Sequence, residues 1–315
     1  MSTQPLLPQL FPAAHTALDY ALVDVFAENP LEGNQLAIFT DARGLSDTEM
    51  QALAREMNLS ETTFILPRDP EIEQERGVRV RIFTTQEELP FAGHPTLGTS
   101  SWLYWNHPVF QGAETIVLDL AVGKIPVRFA RTQQDKQGAF GTMQQNDPVF
   151  AAPQDPGRVA EVLGMREEDI DSTLPVQTVT TGNPFCMIAL RSIEAIQKIT
   201  VPQTLAVQTY LQEHDAKFFY FVTRASPECE ADWHARMLFY NGEDPATGSA
   251  AGPAIAWLVR HGRVASGQTV VLEQGVEMLR PSRLHLSAKL VDDKVTEVRV
   301  GGRTIPVAMG RLFLP

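Results

Sequence analysis

The alternation of hydrophobic and polar residues predicts short β-strands and tight turns early in the chain. Residues 20–26 and 36–39 are apolar runs with the β-branched and aromatic content of strands. Asn29-Pro30 and Gly33-Asn34 lie between them, and both pairs favour turns. The two strands and their turn predict a β-hairpin. Further strands are predicted at residues 78–84, 116–120 and 124–129, the last two forming a second hairpin.

Residues 45–57 have the pattern and the start signals of an amphipathic helix. Ser46 can cap the N-terminus, and Glu49 stands three residues later, which makes a capping box. The apolar residues fall on one face, and the asparagine that follows is a typical helix stop. Because Thr62–Leu66 reads as a strand, Glu61 is expected in a corner between helix and strand.

Two further helices are predicted to be of a different kind. Residues 94–105 and 245–259 contain no Asp, Glu, Lys or Arg and are rich in small and aromatic side chains. A helix without a charged face is expected to be buried on all sides. Each of these helices follows a strand-like run through a corner of small residues.

The second half of the chain repeats the order of the first. Gly182-Asn183 resembles Gly33-Asn34 at an offset of 149 residues (33 to 182), and the two helix corners are offset by 153 (92 to 245). A near-constant spacing of two motifs indicates a duplicated domain. The repeat adds predicted strands at Val176–Thr180 and at residues 185–190 and 236–240.

The length of 315 residues also favours two domains. The expected division is an N-terminal domain of residues 1–140 and a C-terminal domain of residues 141–315. The last strand, about residues 296–315, is expected to pack back on the first domain. The first 18 residues, rich in proline and alanine, are predicted to be a tail or a wrapping arm.

Charge and cysteine content narrow the classes of partner and compartment. The net charge of −12 and the pI near 5.1 disfavour nucleic acid and anionic membranes. Residues 1–41 contain no Lys or Arg, and no apolar run is long enough to span a bilayer. Cys186 and Cys229 have neither metal-ligand nor disulfide-framework spacing. A cytoplasmic protein with two free thiols is expected.

The first helix corner offers a candidate for chemistry in His94. It follows Gly93 at a strand-to-helix junction, where a helix N-terminus exposes unpaired N–H groups. The alternative is a histidine that only makes structural hydrogen bonds at the helix start. The other histidines lack the paired spacing of metal ligands, so no metal site is expected.

The second helix corner combines Asp244 with a run of small residues. Gly248 and Ser249 can present consecutive backbone N–H groups to a carboxylate, and the Ser249 hydroxyl is a further donor. Thr247 belongs to the same run. The alternative is that Asp244 or Thr247 only caps the helix, with small residues for close packing.

The motifs of the chain resemble the phenazine-biosynthesis PhzF-like family, which shares the two-domain fold of diaminopimelate epimerase. The matching stretches cover most of the chain from Tyr20 onward. They are Val23-Asp24-Val25-Phe26, Gly33-Asn34, Asn58-Leu59-Ser60-Glu61-Thr62-Thr63-Phe64, Glu88-Leu89-Pro90-Phe91-Ala92-Gly93-His94-Pro95-Thr96, Glu243-Asp244-Pro245-Ala246-Thr247-Gly248-Ser249-Ala250, Glu273-Gln274-Gly275, Arg280-Pro281-Ser282 and Val300-Gly301-Gly302.

This resemblance implies an α+β fold of two similar domains, each a barrel-like sheet around a central helix. It places the active site in the cleft between the domains. The chain departs from the family at Gln35, where proline is usual, and at Leu279, where glycine is usual. Both departures are expected to affect the shape of the pocket.

The resemblance also implies one-base chemistry. Racemising relatives use two cysteines, and the aligned positions here hold Ala92 and Pro245, neither of which can move a proton. By the family pattern Glu61, which alone would pass for a surface residue, is the general acid/base. His94 and Asp244 would orient the substrate. Burial and the charge of Asp244 would raise the pKa of Glu61 toward neutrality.

The expected function is therefore a cofactor-independent isomerase of a small, cyclic or unsaturated amino- or hydroxy-carboxylic acid. Gly93, Thr247, Gly248 and Ser249 are the expected substrate-binding residues, and no cofactor is expected. One alternative is a lyase or tautomerase that uses the same base. Another is a non-catalytic member that binds a metabolite or a protein. Family members commonly form homodimers, so the resemblance leaves a homodimer open.

Overall fold

Two curved sheets, each wrapped around one helix, make up the computed structural model, which describes residues 16–130, 137–239 and 242–314. The strands of these residues are β1 (Thr16–Val25), β2 (Asn34–Phe39), β3 (Thr62–Leu66), β4 (Val78–Phe83), β5 (Glu88–Leu89), β6 (Thr115–Leu120), β7 (Gly123–Phe129), β8 (Ala139–Gln144), β9 (Val149–Gln154), β10 (Val176–Thr180), β11 (Pro184–Ala189), β12 (Phe218–Arg224), β13 (Trp233–Arg236), β14 (Leu238–Phe239), β15 (Gly242–Glu243), β16 (Val270–Gln274), β17 (Ser282–Val291) and β18 (Lys294–Leu314). The helices are α1 (Asp47–Met57), α2 (Pro70–Arg76), α3 (Gly93–Asn106), α4 (Pro156–Leu163), α5 (Ile193–Gln197), α6 (Leu205–Glu213) and α7 (Gly248–Arg260), with 3-10 turns at Glu167–Asp169 and Val276–Met278.

The first sheet is a closed barrel. Its strands follow the order β1-β2-β3-β4-β6-β7-β8-β18, and β18 pairs with β1 to complete the ring. The second sheet continues from the same β18 in the order β17-β16-β13-β12-β11-β10-β9. Among the described residues β9 pairs only with β10, so the second sheet stays open. The α+β fold class predicted from the sequence is confirmed.

The two uncharged helices fill the two sheets, as their composition predicts. Helix α3 is buried from Gly93 to Ser101, and α7 is buried along almost its whole length. Close packing depends on small residues at the contact. A Cβ atom on Gly98 of α3 would lie 2.6 Å from the Leu36 side chain of β2. Burial of such large apolar surfaces is the main source of stability of both halves.

Local sequence signals predicted one helix and two hairpins in the first half of the chain. Helix α1 begins after Ser46, whose side chain forms the expected capping box with Glu49. It ends at Asn58, which adopts the left-handed conformation of a helix stop. The predicted hairpins β1–β2 and β6–β7 are both antiparallel pairs. These predictions are confirmed because capping and turn formation depend on neighbours in the sequence.

Three sequence predictions are wrong in their boundaries. Thr16–Leu18 do not belong to a tail, since they lie in β1 and pair with Leu312–Leu314 of β18; the other fifteen residues of the predicted tail lie outside the described residues. The strand predicted at residues 236–240 is β13, which ends at Arg236, followed by the short β14; Tyr240 also lies outside the described residues. The second buried helix begins at Gly248 rather than Pro245, because the hydroxyl of Thr247 bonds the Asp244 carboxylate in a non-helical turn.

The strand β18 connects the two sheets. Its first part pairs with β17 and β8, and its last part pairs with β1. One cluster of buried apolar residues also runs through both halves, with Phe26 and Ala92 in the first and Ala246 and Ala250 in the second. The division into domains at residue 140 stays a prediction.

Candidate active site

A cavity of about 570 Å³ opens between the two halves at the start of the two buried helices. Its wall contains all seven site residues that the sequence predicts, namely Glu61, Gly93, His94, Asp244, Thr247, Gly248 and Ser249. These residues come from three segments that are far apart in the chain. A concave site with converging polar groups is the usual form of a small-molecule site.

The N-termini of helices α3 and α7 meet at this cavity. A Cβ atom on Gly93 would lie 2.9 Å from the carbonyl carbon of Gly248 and 3.0 Å from the backbone nitrogen of Ser249. Only glycine permits this approach of two backbones. The positive ends of two helix dipoles therefore point into one cavity, which favours a bound anion such as a carboxylate.

Glu61 lies in the corner between α1 and β3, and its side chain is 17% exposed. Burial raises its pKa to about 8, helped by the negative charge of Asp244, while the Lys217 ammonium acts in the opposite direction. The two causes inferred from the sequence, burial and Asp244, are both present. A carboxylic acid with a pKa near neutrality can both take and return a proton.

His94 is buried at the first turn of α3. Burial lowers its pKa to about 3, although a hydrogen bond with the Gln35 backbone partly opposes this effect. The imidazole is therefore neutral at pH 7. Its Nε2 atom lies 3.7 Å from Oε2 of Glu61 and has no hydrogen-bond partner among the described residues. A buried nitrogen without a partner is costly unless a ligand supplies one.

Asp244 is surrounded by hydrogen-bond donors. The side-chain nitrogen of Asn34 donates to Oδ1 at 2.8 Å, and the Thr247 hydroxyl donates to Oδ2 at 2.6 Å. The Ser60 hydroxyl is a third donor at 3.4 Å. Burial raises the pKa of Asp244 to about 6, and these donors limit the rise. Asp244 therefore ionises before Glu61 as the pH increases.

Gln274 is fully buried behind Asp244 and Thr247. Its Nε2 donates to the Asp244 carbonyl at 2.7 Å and to Oγ1 of Thr247 at 2.9 Å, while its Oε1 accepts from the Tyr220 hydroxyl. Because Thr247 Oγ1 accepts from Gln274, its own hydrogen is free to point at Asp244. Gln274 belongs to the Glu273-Gln274-Gly275 motif, yet nothing in the sequence assigned it a role.

Two other features of the cavity escaped sequence reasoning. Three aromatic rings, Phe185, Phe218 and Phe239, line one side of it. Lys217 is the one Lys or Arg among the described residues that line the wall. No spacing or motif marks Lys217, because it enters the site only through the pairing of β11 with β12.

The two positions at which racemases carry cysteines hold Ala92 and Pro245 in this protein. Ala92 lines the cavity, whereas Cys186 and Cys229 do not belong to its wall. Burial raises the pKa of Cys186, which further removes it from nucleophilic chemistry. The side chains of Gln35 and Leu279 also lie outside the cavity wall, and Leu279 is 87% exposed. The effect of these two departures on the shape of the pocket stays a prediction.

No group of three or more His, Cys, Asp or Glu side chains is arranged to hold a metal ion within residues 16–130, 137–239 and 242–314. Nor does any helix of these segments have both the length and the apolar character needed to cross a membrane.

Known proteins resemble this chain over nearly its full length. The family model described as "Phenazine biosynthesis-like protein" matches residues 23–310. The trans-2,3-dihydro-3-hydroxyanthranilate isomerase of Pseudomonas aeruginosa is 35% identical over 302 residues, which is 94% of this chain and 99% of the relative. Two further Pseudomonas relatives, 36% and 35% identical, carry the same name. These relatives confirm the prediction that the protein is an isomerase.

Solved structures agree. A predicted epimerase from Pseudomonas aeruginosa is 36% identical, with a TM-score of 0.78 and coverage of 94% of this chain and 99% of its own. A probable proline racemase from Agrobacterium radiobacter is only 10% identical, with a TM-score of 0.64 and coverage of 95% and 93%, and shows the fold alone. The resemblance inferred from the motifs is confirmed, and the chain belongs to the phenazine biosynthesis-like protein family.

Proposed function

We propose that the protein is a cofactor-independent isomerase that moves a proton between carbons of a small cyclic carboxylic acid, with Glu61 as the single acid/base. The observation that carries this proposal is the meeting of Glu61, His94 and Asp244 in one cavity beside two helix N-termini. A metabolite-binding protein would not need a carboxyl group whose pKa is raised to about 8.

The substrate carboxylate would bind the exposed backbone N–H groups at Gly93, Gly248 and Ser249. The aromatic side of the cavity would then hold the ring of the substrate near Glu61. Asp244 would accept a hydrogen bond from an amino or hydroxyl group of the substrate. The free Nε2 of His94 would accept a second one, which satisfies the buried nitrogen.

The proposed reaction needs no redox partner. The Glu61 carboxylate takes a proton from one carbon, so that the C–H electron pair enters a conjugated system. The double bonds shift, and Glu61 returns the proton to another carbon on the same face. Since the start and the end of the cycle leave Glu61 ionised, one group serves as base and then as acid.

The names of relatives indicate the kind of substrate. The proteins of Pseudomonas aeruginosa and Pseudomonas chlororaphis, 35% and 36% identical, are both named trans-2,3-dihydro-3-hydroxyanthranilate isomerase. That compound combines an unsaturated ring with a carboxylate, an amino group and a hydroxyl group. We propose a cyclic hydroxy amino acid of this type for the present protein. A cytoplasmic location and a homodimer stay predictions. Sedimentation velocity would measure the oligomeric state.

The test is hydrogen exchange in heavy water with a panel of cyclic amino- and hydroxy-carboxylates, read by NMR. The native protein is expected to place deuterium on a ring carbon of its substrate. Glu61→Gln is nearly isosteric and should abolish this incorporation while thermal unfolding stays unchanged. Unchanged deuterium incorporation in Glu61→Gln would show that Glu61 is not the acid/base. Loss of water or amine, seen by mass spectrometry, would instead indicate a lyase.

A further inference from the structure

One buried side chain, Asn34, joins the two halves of the site. It begins β2 and is 2% exposed. Its Nδ2 atom lies 2.8 Å from Oδ1 of Asp244, 3.0 Å from the carbonyl oxygen of Ala246 and 3.3 Å from Nδ1 of His94. The first two neighbours belong to the second half of the chain, and His94 belongs to the first.

The number of hydrogens on this nitrogen limits what it can do. An amide nitrogen carries two hydrogens, and both a carboxylate and a backbone carbonyl can only accept. Asp244 and Ala246 therefore use both hydrogens of Asn34. Nothing remains to donate to Nδ1 of His94 at 3.3 Å. Because Nε2 has no partner among the described residues, the hydrogen bond of the ring with the Gln35 backbone falls on Nδ1, which therefore carries the imidazole proton. The Gln35 backbone hydrogen bond raises the pKa of His94, as expected when the ring is the donor.

The orientation of the Asn34 amide is fixed by its surroundings. A reversed amide would place Oδ1 against two acceptors, which is repulsive. The backbone is also held, since the Arg280 guanidinium donates to the carbonyl oxygens of Gly33 at 2.9 Å and Glu32 at 2.7 Å. Gly33 has a φ of +68°, and a Cβ atom there would lie 2.4 Å from the Val25 carbonyl oxygen.

We propose that Asn34 is a positioning residue of the site: its amide keeps Asp244 an ionised acceptor and leaves His94 with its proton on Nδ1 and a lone pair on Nε2 facing Glu61. This inference rests on the proposed function. It differs from a purely structural role, because it sets the protonation states of two groups that touch the substrate.

Asn34→Asp has nearly the same shape but cannot donate, and it adds a negative charge next to Asp244. The charged groups that face this position are Glu61 and Glu243 near Asp244, and Lys217 near Glu61. Two adjacent carboxyl groups tend to share a proton, which costs Asp244 its role as an acceptor. At higher pH, where both carboxyl groups are ionised, the added charge also makes Glu61 harder to ionise.

The first measurement is the pH profile of proton exchange for Asn34→Asp. The turnover number should fall by about 10- to 100-fold at pH 7, with a smaller change in KM, and the ascending limb should move to higher pH. Asn29→Asp adds the same charge in the same loop on an exposed residue, and it should change neither value. A loss of turnover by the same factor at all pH values in Asn34→Asp would show that Asn34 has only a structural role.

The second measurement is made on the native protein, with one variant used only for assignment. Nitrogen-15 NMR of the native protein should show the neutral His94 ring with a protonated Nδ1 and an unprotonated Nε2; His94→Gln assigns the signals. The opposite tautomer would overturn the inference. The tautomer does not depend on which residue moves the substrate proton. If Glu61→Gln retains exchange while the tautomer is as expected, the proposed function fails and the assignment of hydrogens stands.

Discussion

Glu61 and Asp244 are two carboxyl groups in one cavity that their neighbours make chemically different. Asn34, Thr247 and Ser60 donate to Asp244, which favours its ionised form. Glu61 lies beside this charge in a buried corner, so its neutral form is favoured. Opposite pKa tendencies in a pair of acids are typical of sites that divide the roles of acceptor and proton carrier.

The pH dependence of catalysis follows from this difference. The proposed base must be deprotonated to act, and burial raises the pKa of Glu61 to about 8. Activity should therefore fall as the pH decreases through about 8, far above the value of 4.5 for an ordinary glutamate. Lys217→Met removes a positive charge that lowers this pKa, so the ascending limb of kcat/KM should shift to higher pH.

Steady-state rates between pH 5 and 10 measure the ascending limb in the native protein and in Lys217→Met. Lys198→Met is the matched control, because Lys198 is exposed and does not belong to the cavity wall. A limb that stays in place in Lys217→Met would show that another group titrates.

Helices α3 and α7 meet end to end because glycine stands at the first position of each. The contact of Gly93 with the backbone of Gly248 leaves no space for a methyl group. The same contact exposes unpaired N–H groups of both helices to the cavity. Packing of the two helix ends and the proposed binding of a carboxylate thus depend on one pair of residues, Gly93 and Gly248.

Gly93→Ala should therefore impair both properties. The added Cβ atom forces the helix ends apart, which should lower the free energy of unfolding by about 1–3 kcal/mol. It should also raise KM by about tenfold or more, since the N–H groups no longer converge. Urea titration and substrate kinetics measure these effects.

Gly157→Ala is the control for Gly93→Ala, because Gly157 lies at the start of α4 and its Cβ atom would first meet the end of the Glu167 side chain. Its unfolding free energy and KM should stay within error of the native values. A Gly93→Ala protein with native KM would contradict the binding role of the joined N-termini.

The sequence predicted those parts of the fold that depend on neighbouring residues. Helix α1 needed only Ser46, Glu49 and an apolar face. The uncharged composition likewise identified the two buried helices. The sequence did not identify Asn34 as a site residue, because its partner Asp244 is 210 residues away. The pair Gly33-Asn34 also reads first as a turn. A contact of this kind exists only after both halves have folded against each other.

For the molecule as a whole, one buried cluster of charged side chains makes the free energy of unfolding depend on pH. His234 is buried between Glu273 at 2.8 Å and Glu277 at 3.0 Å, and Glu273 also bonds Arg283 and the Cys229 thiol. His234 lies on β13, Glu273 on β16 and Glu277 in the 3-10 turn that follows β16, while Arg283 lies on β17. The cluster connects β13 with β16, the strand that carries Gln274.

The pKa of His234 is raised to about 9 from 6.5, because hydrogen bonds with Glu273 and Glu277 outweigh the effect of burial, which lowers it. The protonated form therefore stabilises the fold. This stabilisation is complete below about pH 6.5 and is lost as the pH rises through about 9. It amounts to at most about 3 kcal/mol.

Urea unfolding between pH 6 and 10 tests this prediction. His234→Gln should be less stable at pH 6, and it should lose less stability than the native protein between pH 6.5 and 9. His214→Gln, outside the cluster, should keep the native pH dependence. Parallel curves for His234→Gln and the native protein would show that His234 does not titrate in this range.

The shared strand β18 also determines when the first barrel can close during synthesis of the chain. The first barrel consists of strands that end at residue 144, except for its closing strand, which begins at residue 294. During synthesis β1 and β8 leave the ribosome long before their common partner, so both present unpaired edges in the meantime. Such edges invite pairing with other chains. The nascent first half therefore depends on the translation of the second to be completed as a barrel.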